Sequence, residues 1–379
     1  MTEGKNILIV AGEISGDLHG AALVREMRTI CPGMSFWGFG GQKMRDAGVE
    51  TLVDVSQLAV MGLFDVVRHI PRIRGYMRRL LEVAQKRRPA LAILIDYPGF
   101  NLKLAPKLKK IGIPVGYYIS PQLWAWAENR VRVVKKFVDR MVCILPFEKD
   151  FYARYGVEVD YVGHPFVDIV HPEMDEADFR RAVGVDGDFL ALLPGSRDRE
   201  ITRLLPIMVQ IRRRVAEYLD KEIPAVIASA PGKRPLIESL LPDDDFRVVE
   251  NLTYSAMAYA RAGLVASGSA TLEAAILNLP AVVLYRVDPL SWAIGKRIIK
   301  TPHIALANLV AGERVYPEFV QDIPVGRVAG IVAEFFRDDS AVDSVRRKLE
   351  TIRTKLGPGG AARRAGQIFC KLAQKQGNC

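Results

Sequence analysis

Short apolar runs alternate with amphipathic stretches along most of the chain, and this alternation carries the first expectations. In the first half, runs that read as strands lie at Asn6–Ala11, Phe36–Phe39, Leu91–Ile95, Val115–Ile119, Met141–Leu145 and Asp160–Val162. In the second half they lie at Phe189–Leu193, Ala225–Ala228, Phe246–Val249, Leu264–Ala266 and Ala281–Tyr285. Most helical segments between them end in glycine, as at Gly112 and Gly156, where a residue without Cβ can close the last turn. Strands alternating with helices predict a parallel sheet wound on both faces. After Asp322 the pattern is helical to the end, and Gly357-Pro358-Gly359-Gly360 divides the last two helices. His164-Pro165 and the polar run Asp168–Asp188 interrupt the alternation and read as an interdomain linker. The predicted class is α/β, with two doubly wound Rossmann-like domains facing a central cleft and a helical C-terminus. The first domain is 1–165, with the helix 360–379 packing back on it, and the second is 166–359. Ligands are expected at the carboxyl ends of the strands.

The polar clusters fall at those ends. Leu264–Ala266 runs into Ser267-Gly268-Ser269, an amphipathic segment Ala270–Leu277 follows, and a second strand leads to Arg286. Free amides and the positive dipole end of a helix N-terminus favour a phosphate there. Gly268 permits close approach, Ala270 lies in the first turn, Ser269 and Thr271 add hydroxyls, and Glu273 is placed to hold a ribose diol. The same pattern also fits a bare strand-to-helix turn capped by Ser269. Pro194-Gly195-Ser196-Arg197 follows the first strand of the second half. It offers backbone and hydroxyl donors with a guanidinium suited to a diphosphate, or else a surface turn.

In the first half, the first strand leads into Gly12-Glu13-Ile14-Ser15-Gly16-Asp17. This lacks G-x-G-x-x-G spacing, and its two acids would repel a pyrophosphate, so Gly12, Glu13, Ser15 and Asp17 suit sugar hydroxyls better. Ser15 or Asp17 could instead cap the next helix. Leu91–Ile95 ends in Asp96-Tyr97-Pro98-Gly99-Phe100-Asn101. A carboxylate just past an apolar strand is partly desolvated, which raises its pKa and makes Asp96 a candidate base, with a turn cap as the alternative. In Ser120-Pro121-Gln122-Leu123-Trp124-Ala125-Trp126, Gln122 and Trp124 are candidates for sugar contact, although paired aromatics also fill cores. Asp186-Gly187-Asp188 and Asp243-Asp244-Asp245 match a D-x-D metal pattern, but they sit in polar loops and read as solvated turns. No His, Cys and Asp cluster has metal spacing, so no metal and no cofactor are expected.

Composition narrows the class. Of the 379 residues 49% are hydrophobic and 25% charged, as in soluble globular proteins. No window approaches the roughly 18 apolar residues of a membrane span, and the apolar run before Glu13 is too short for a signal peptide. Cys31, Cys143, Cys370 and Cys379 form no C-x-x-C, which fits a reduced cytoplasmic setting. The net charge is +10, and residues 1–165 hold 24 Lys and Arg against 16 Asp and Glu, so +8 of it lies in the first half. An acidic partner is implied there: phosphates, anionic lipid or nucleic acid. From Leu63 to Ala84 one helical face is apolar and the other carries Arg68, Arg72, Arg74, Arg78 and Arg79. A basic amphipathic helix reads as a membrane-surface element, with Leu63, Val66, Val67, Ile70 and Ile73 as contacts, and with breaks or kinks at Pro71 and Gly75. An ordinary helix packed on the sheet is the alternative. Only Tyr76 could stack on a base, which argues against nucleic acid.

Taken together, AGEISGD at 11–17, AVMGLFDV at 59–66, DYPGFN at 96–101, SPQLWAW at 120–126, LPFEKDFY at 145–152, VGHPF at 162–166, LLPGSR at 192–197, ASGSATLE at 266–273 and ANLVAG at 307–312 resemble the lipid-A-disaccharide synthase family. They run over most of the chain in family order. The resemblance implies a GT-B glycosyltransferase fold. It implies inverting, metal-independent transfer of a 2,3-diacylglucosamine from UDP to the 6-hydroxyl of 2,3-diacylglucosamine 1-phosphate, on the cytoplasmic face of a Gram-negative inner membrane. Asp96 matches the family's essential aspartate, Glu13 lies in its first glycine motif, and Arg197, Glu273 and Asn308 match donor-side polar residues. Gly99 stands where some members have a second acid, and Ala307 stands where proline is frequent. The alternatives are a UDP-sugar 2-epimerase, a GT-B transferase with another lipid acceptor, or a nucleotide-sugar binding protein without catalysis. A homodimer is left open.

Overall fold

The computed structural model describes residues 5–57, 63–242, 246–298 and 301–375, with side chains for all of these except 63–70, 290, 291, 294 and 298. The chain forms two compact units, Met1–Pro165 with Pro358–Cys379, and Phe166–Gly357.

Among the described residues the first unit holds seven strands: β1 Asn6–Val10, β2 Ser35–Gly40, β3 Val49–Asp54, β4 Leu91–Ile95, β5 Val115–Tyr118, β6 Arg140–Cys143 and β7 Val159–Tyr161. All pair in parallel, in the order β3-β2-β1-β4-β5-β6-β7. Helices cover both faces, which is why Ile7–Val10 and Leu91–Ile95 are apolar at every position and fully buried. On one face Leu80 and Ala84 of the helix Leu63–Arg87 and Leu104 and Leu108 of the helix Pro98–Lys110 pack over Leu8, Val10, Leu94 and Tyr117. The C-terminal helix Ala361–Lys375 belongs to this unit, and its buried Phe369 meets Tyr118 edge to face at 6.3 Å. Phe369 fills the space over Gly116, where a Cβ would lie 2.6 Å from its ring.

The second unit holds β8 Leu190–Leu193, β9 Ala225–Ser229, β10 Phe246–Glu250, β11 Ala262–Ala266, β12 Ala281–Tyr285 and β13 Glu318–Val320. These are also parallel, in the order β10-β9-β8-β11-β12-β13. In each sheet the order reverses direction once, between β1 and β4 and between β8 and β11. At such a switch the neighbouring connections leave for opposite faces, so the strand ends open a crevice.

The structure departs from the sequence reading at several places. The run Asp168–Asp188 is not a linker: it lies in the second unit and contains the helices Phe166–Ile169 and Glu176–Val183. Asp175 caps the longer helix by accepting from the Asp178 amide at 2.9 Å, and Phe179 buries against Phe189 and Tyr259. Apolar Phe179 and Val183 alone form the buried stripe of that helix, too few to show through a polar run. Strands β3 and β13 escaped the reading because both are sheet edges with polar residues such as Glu50, Thr51 and Glu318. The helix Leu63–Arg87 is continuous through Pro71 and Gly75, since one missing N–H costs a helix a single hydrogen bond that packing can outweigh. Leu63, Val66, Val67 and Ile70 have side chains outside the described residues. Ile73 is partly buried and packs against the core of the first unit. No helix among the described residues is long and apolar enough to cross a membrane.

Candidate active site

The motifs of the first unit gather at its switch point. Asp96 directly follows β4, next to the β1 end that carries Gly12 and Glu13. Asp96 and Tyr97 are consecutive left-handed residues, with φ of 41° and 47°. Neither is glycine, so each conformation costs about 1–2 kcal/mol and must be held by its surroundings. The holders are present. The Tyr117 hydroxyl donates to the Asp96 carbonyl at 2.5 Å, and the buried Asn101 amide donates to the same oxygen at 2.8 Å and to Ile95 at 3.1 Å. Asn101 thus fixes the Asp96 turn from below.

Burial, and secondarily the charge of Glu13, push the Asp96 carboxyl up from 3.8 to about 6, against the Tyr97 amide that bonds to it. At neutral pH this group is ionised yet able to hold a proton. Glu13 is exposed, and its side chain makes no cap bond.

Gly12 and Asp17 do other work. A Cβ on Gly12 would run into the Tyr97 ring, so this glycine makes room for a packing contact rather than a ligand. Asp17 is buried, and its carboxylate accepts from the amides of Gly41 at 2.6 Å, Lys43 at 3.0 Å and Met44 at 3.1 Å. It caps the helix Gln42–Asp46, a helix distant in sequence. Ser15 is exposed at the same strand end.

Past β5, Gln122 is exposed, whereas Trp124 is partly buried, edge-on to Phe147 at 5.0 Å, and donates its indole N–H to Glu148 at 3.3 Å. The ring open to solvent is Trp126, 47% exposed beside Arg130. Glu148 itself was missed by sequence reasoning. It sits inside LPFEKDFY with no spacing signal, yet it is fully buried, and burial raises its carboxyl to about 7. His19 and His164 are also buried, and desolvation lowers them to about 4 and about 3, so neither supplies a cation at neutral pH.

In the second unit, Pro194–Arg197 follows β8 and Ser267–Glu273 follows the adjacent β11. Gly195 has φ of 107°, and Gly268, with φ of 156°, has open space where a side chain would be. The amides of Gly268, Ser269 and Ala270 make no internal hydrogen bond among the described residues. Ser269 donates to Glu273 at 3.0 Å, and burial raises the Glu273 carboxyl. The Arg197 side chain is 81% exposed, and Arg286 is exposed. Glu200 was not foreseen: its carboxylate accepts from the amides of Ser196 at 3.3 Å and Arg197 at 3.4 Å, and from the Arg197 guanidinium at 3.1 Å. It holds the donors that an anion would take.

Two candidate side chains are engaged within the fold. The Thr271 hydroxyl is buried and donates to the Gly268 carbonyl at 2.9 Å. Asn308 is buried, donates to Tyr316 and Glu318, and accepts from the amides of Val315 and Tyr316, so it holds a loop and has no donor left for a ligand. Ser267 bonds the Ile304 carbonyl at 3.3 Å.

Residues 7–324 match the family model described as lipid-A-disaccharide synthetase. The chain belongs to the lipid-A-disaccharide synthase family. It is 41% identical to the lipid-A-disaccharide synthase of Geobacter sulfurreducens, over 99% of this chain and 100% of that one. It is 42% identical to those of Syntrophus aciditrophicus and Myxococcus xanthus, each over 98% of both chains. Among solved structures, a UDP-GlcNAc 2-epimerase from Neisseria meningitidis bound to UDP-GlcNAc superposes with a TM-score of 0.65 at 14% identity, covering 97% of this chain and 100% of that one. A putative UDP-N-acetylglucosamine 2-epimerase from Listeria monocytogenes gives 0.66 at 13%, covering 98% and 97%. At such identities the likeness concerns the fold alone. It agrees with the GT-B class expected from the motifs of this synthase-family chain: two parallel Rossmann-like sheets and a helical C-terminus.

Proposed function

We propose that the chain transfers 2,3-diacylglucosamine from UDP to the 6-hydroxyl of 2,3-diacylglucosamine 1-phosphate, giving a β-1,6-linked disaccharide 1-phosphate and UDP. Family membership sets the reaction class. The single structural observation that carries the chemistry is the Asp96 carboxyl, raised to about 6 on a strained turn at the β4 end. In the transfer, the acceptor 6-oxygen attacks the anomeric carbon and its proton passes to Asp96. The bond from that carbon to the diphosphate breaks, and UDP leaves with the electron pair. The donor is assigned to the second unit, with its diphosphate at the amides of Gly268–Ala270 and at Arg197, and its ribose at Glu273. Ser15 and Gln122 are assigned to the acceptor.

The protein works at the cytoplasmic surface of the inner membrane, where its lipid substrates reside. The exposed Arg74, Arg78 and Arg79 of the helix Leu63–Arg87 support that placement. The test is incubation with both diacylated substrates, followed by mass spectrometry of the lipid product. The disaccharide 1-phosphate is expected. Isomerisation of a UDP-sugar without acceptor would overturn the reading in favour of an epimerase.

A further inference from the structure

Two rungs tie the turn after β5 to the helix Glu148–Ala153 after β6. Glu148 accepts from the Trp124 indole at 3.3 Å and from the Leu145 amide at 3.0 Å. One turn along the same helix, the Tyr152 hydroxyl lies 2.8 Å from that of the buried Ser120. The turn so held begins at Ile119, a β-branched residue with φ of 62°, a conformation that such a side chain adopts only under constraint. It adjoins the Asp96 turn, because the Asp96 amide donates to Tyr118 at 3.1 Å. Gln122 stands exposed on it. Burying a carboxyl is expensive, and an apolar side chain could fill the same space more stably. An acid at this position therefore points to a task beyond packing.

We propose that Glu148 is a positioning residue for the acceptor: through Trp124 it holds the Ser120–Trp126 turn in the shape that presents Gln122 to the acceptor sugar. This rests on the transfer reaction proposed above. The other ionisable groups near this carboxyl, Cys143, Tyr152 and Tyr161, are all pushed upward and stay neutral at pH 7.

The experiment is a double-mutant cycle with Glu148→Gln and Trp124→Phe, which keeps an aromatic ring, though a smaller one, and removes the indole N–H. Acceptor Kd is read by calorimetry in detergent, kcat and acceptor KM by turnover, and folding by circular dichroism. Each single change is expected to weaken acceptor binding about tenfold or more, with UDP affinity unaltered. The double variant is expected to be no worse than either single one, since both cut the same link. Losses that multiply in the double variant, or Glu148→Gln with wild-type acceptor affinity, overturn the proposal. If Glu148→Gln does not fold, Trp124→Phe decides alone: acceptor affinity equal to wild type overturns it. Wild-type protein that binds acceptor but forms no disaccharide overturns the transfer reaction and leaves the link readable through Kd.

Discussion

Replacing Asp96 by Asn should make the enzyme slower and the fold more stable, and both effects follow from one carboxyl. Asn tolerates left-handed φ at least as well as Asp, so the turn at 41° and 47° gains no strain. The folded carboxyl titrates at about 6 against an ordinary 3.8. Below pH 3.8 both folded and unfolded forms hold the proton, and the group costs nothing. Between 3.8 and about 6 the unfolded chain releases its proton while the native one keeps it, so native stability falls as pH rises. Above that window the whole cost is present: about two pH units, or about 3 kcal/mol at most, because part of the carboxyl still meets water. Asn has no such cost. Denaturant unfolding of the two proteins from pH 4 to pH 8 should show the variant's advantage growing with pH towards that ceiling. Turnover at saturating substrates should fall by roughly 10²–10⁴-fold. In the wild type, kcat/KM should rise through a midpoint near 6 to a plateau, and Glu13→Gln should shift that midpoint downward by removing the neighbouring charge. A stability difference that does not change with pH would refute the buried-carboxyl argument. Near-normal turnover in Asp96→Asn, with loss in Glu13→Gln, would pass the role of base to Glu13.

Arg197→Ala should weaken UDP binding about tenfold or more by calorimetry, as expected for loss of a charged hydrogen bond; unaltered affinity would remove Arg197 from the donor site. Glu200→Gln should tighten UDP binding several-fold at low salt, since its carboxylate sits on the amides of Ser196 and Arg197 and repels a diphosphate; weaker binding would show Glu200 to be needed for the shape of the turn. Serines at Val66, Val67 and Ile70 should release the protein from anionic vesicles while leaving the fold intact, whereas Ile73→Ser should lower Tm; unfolding by the first set would place that stretch in the core. Chelation by EDTA should leave transfer unaltered, and activity lost and then restored by Mg²⁺ would return the D-x-D loops to consideration.

Central strands were readable because a parallel strand covered on both faces must be apolar throughout, as in Leu91–Ile95. Edges such as β3 and β13 meet water on one side and lose that signature. The strand-end turns were readable for the same reason: a glycine or an acid stands out after an apolar run. What each polar group bonds to was not readable. Asp17 caps a helix that begins 25 residues later, and Asn308 closes a loop with Tyr316 and Glu318. Such partners are set by the fold, and the composition near the residue carries no trace of them.

That division sorts the candidates by what their polar atoms bond. Asp17, Asn101, Thr271 and Asn308 are buried and hydrogen-bonded within the fold, so they help to build the walls. Glu13, Arg197 and Glu273 keep charged ends not consumed by backbone capping, and the Asp96 carboxyl takes one backbone amide, that of Tyr97. Asp96 is the decisive case. Its carbonyl takes two side-chain donors, while its carboxyl is held against desolvation and the Glu13 charge. A side chain needed only to shape the turn would not require an unfavourable carboxylate, because Asn would serve at lower cost. Under the proposed mechanism, that cost is the counterpart of a group placed to take the acceptor's proton.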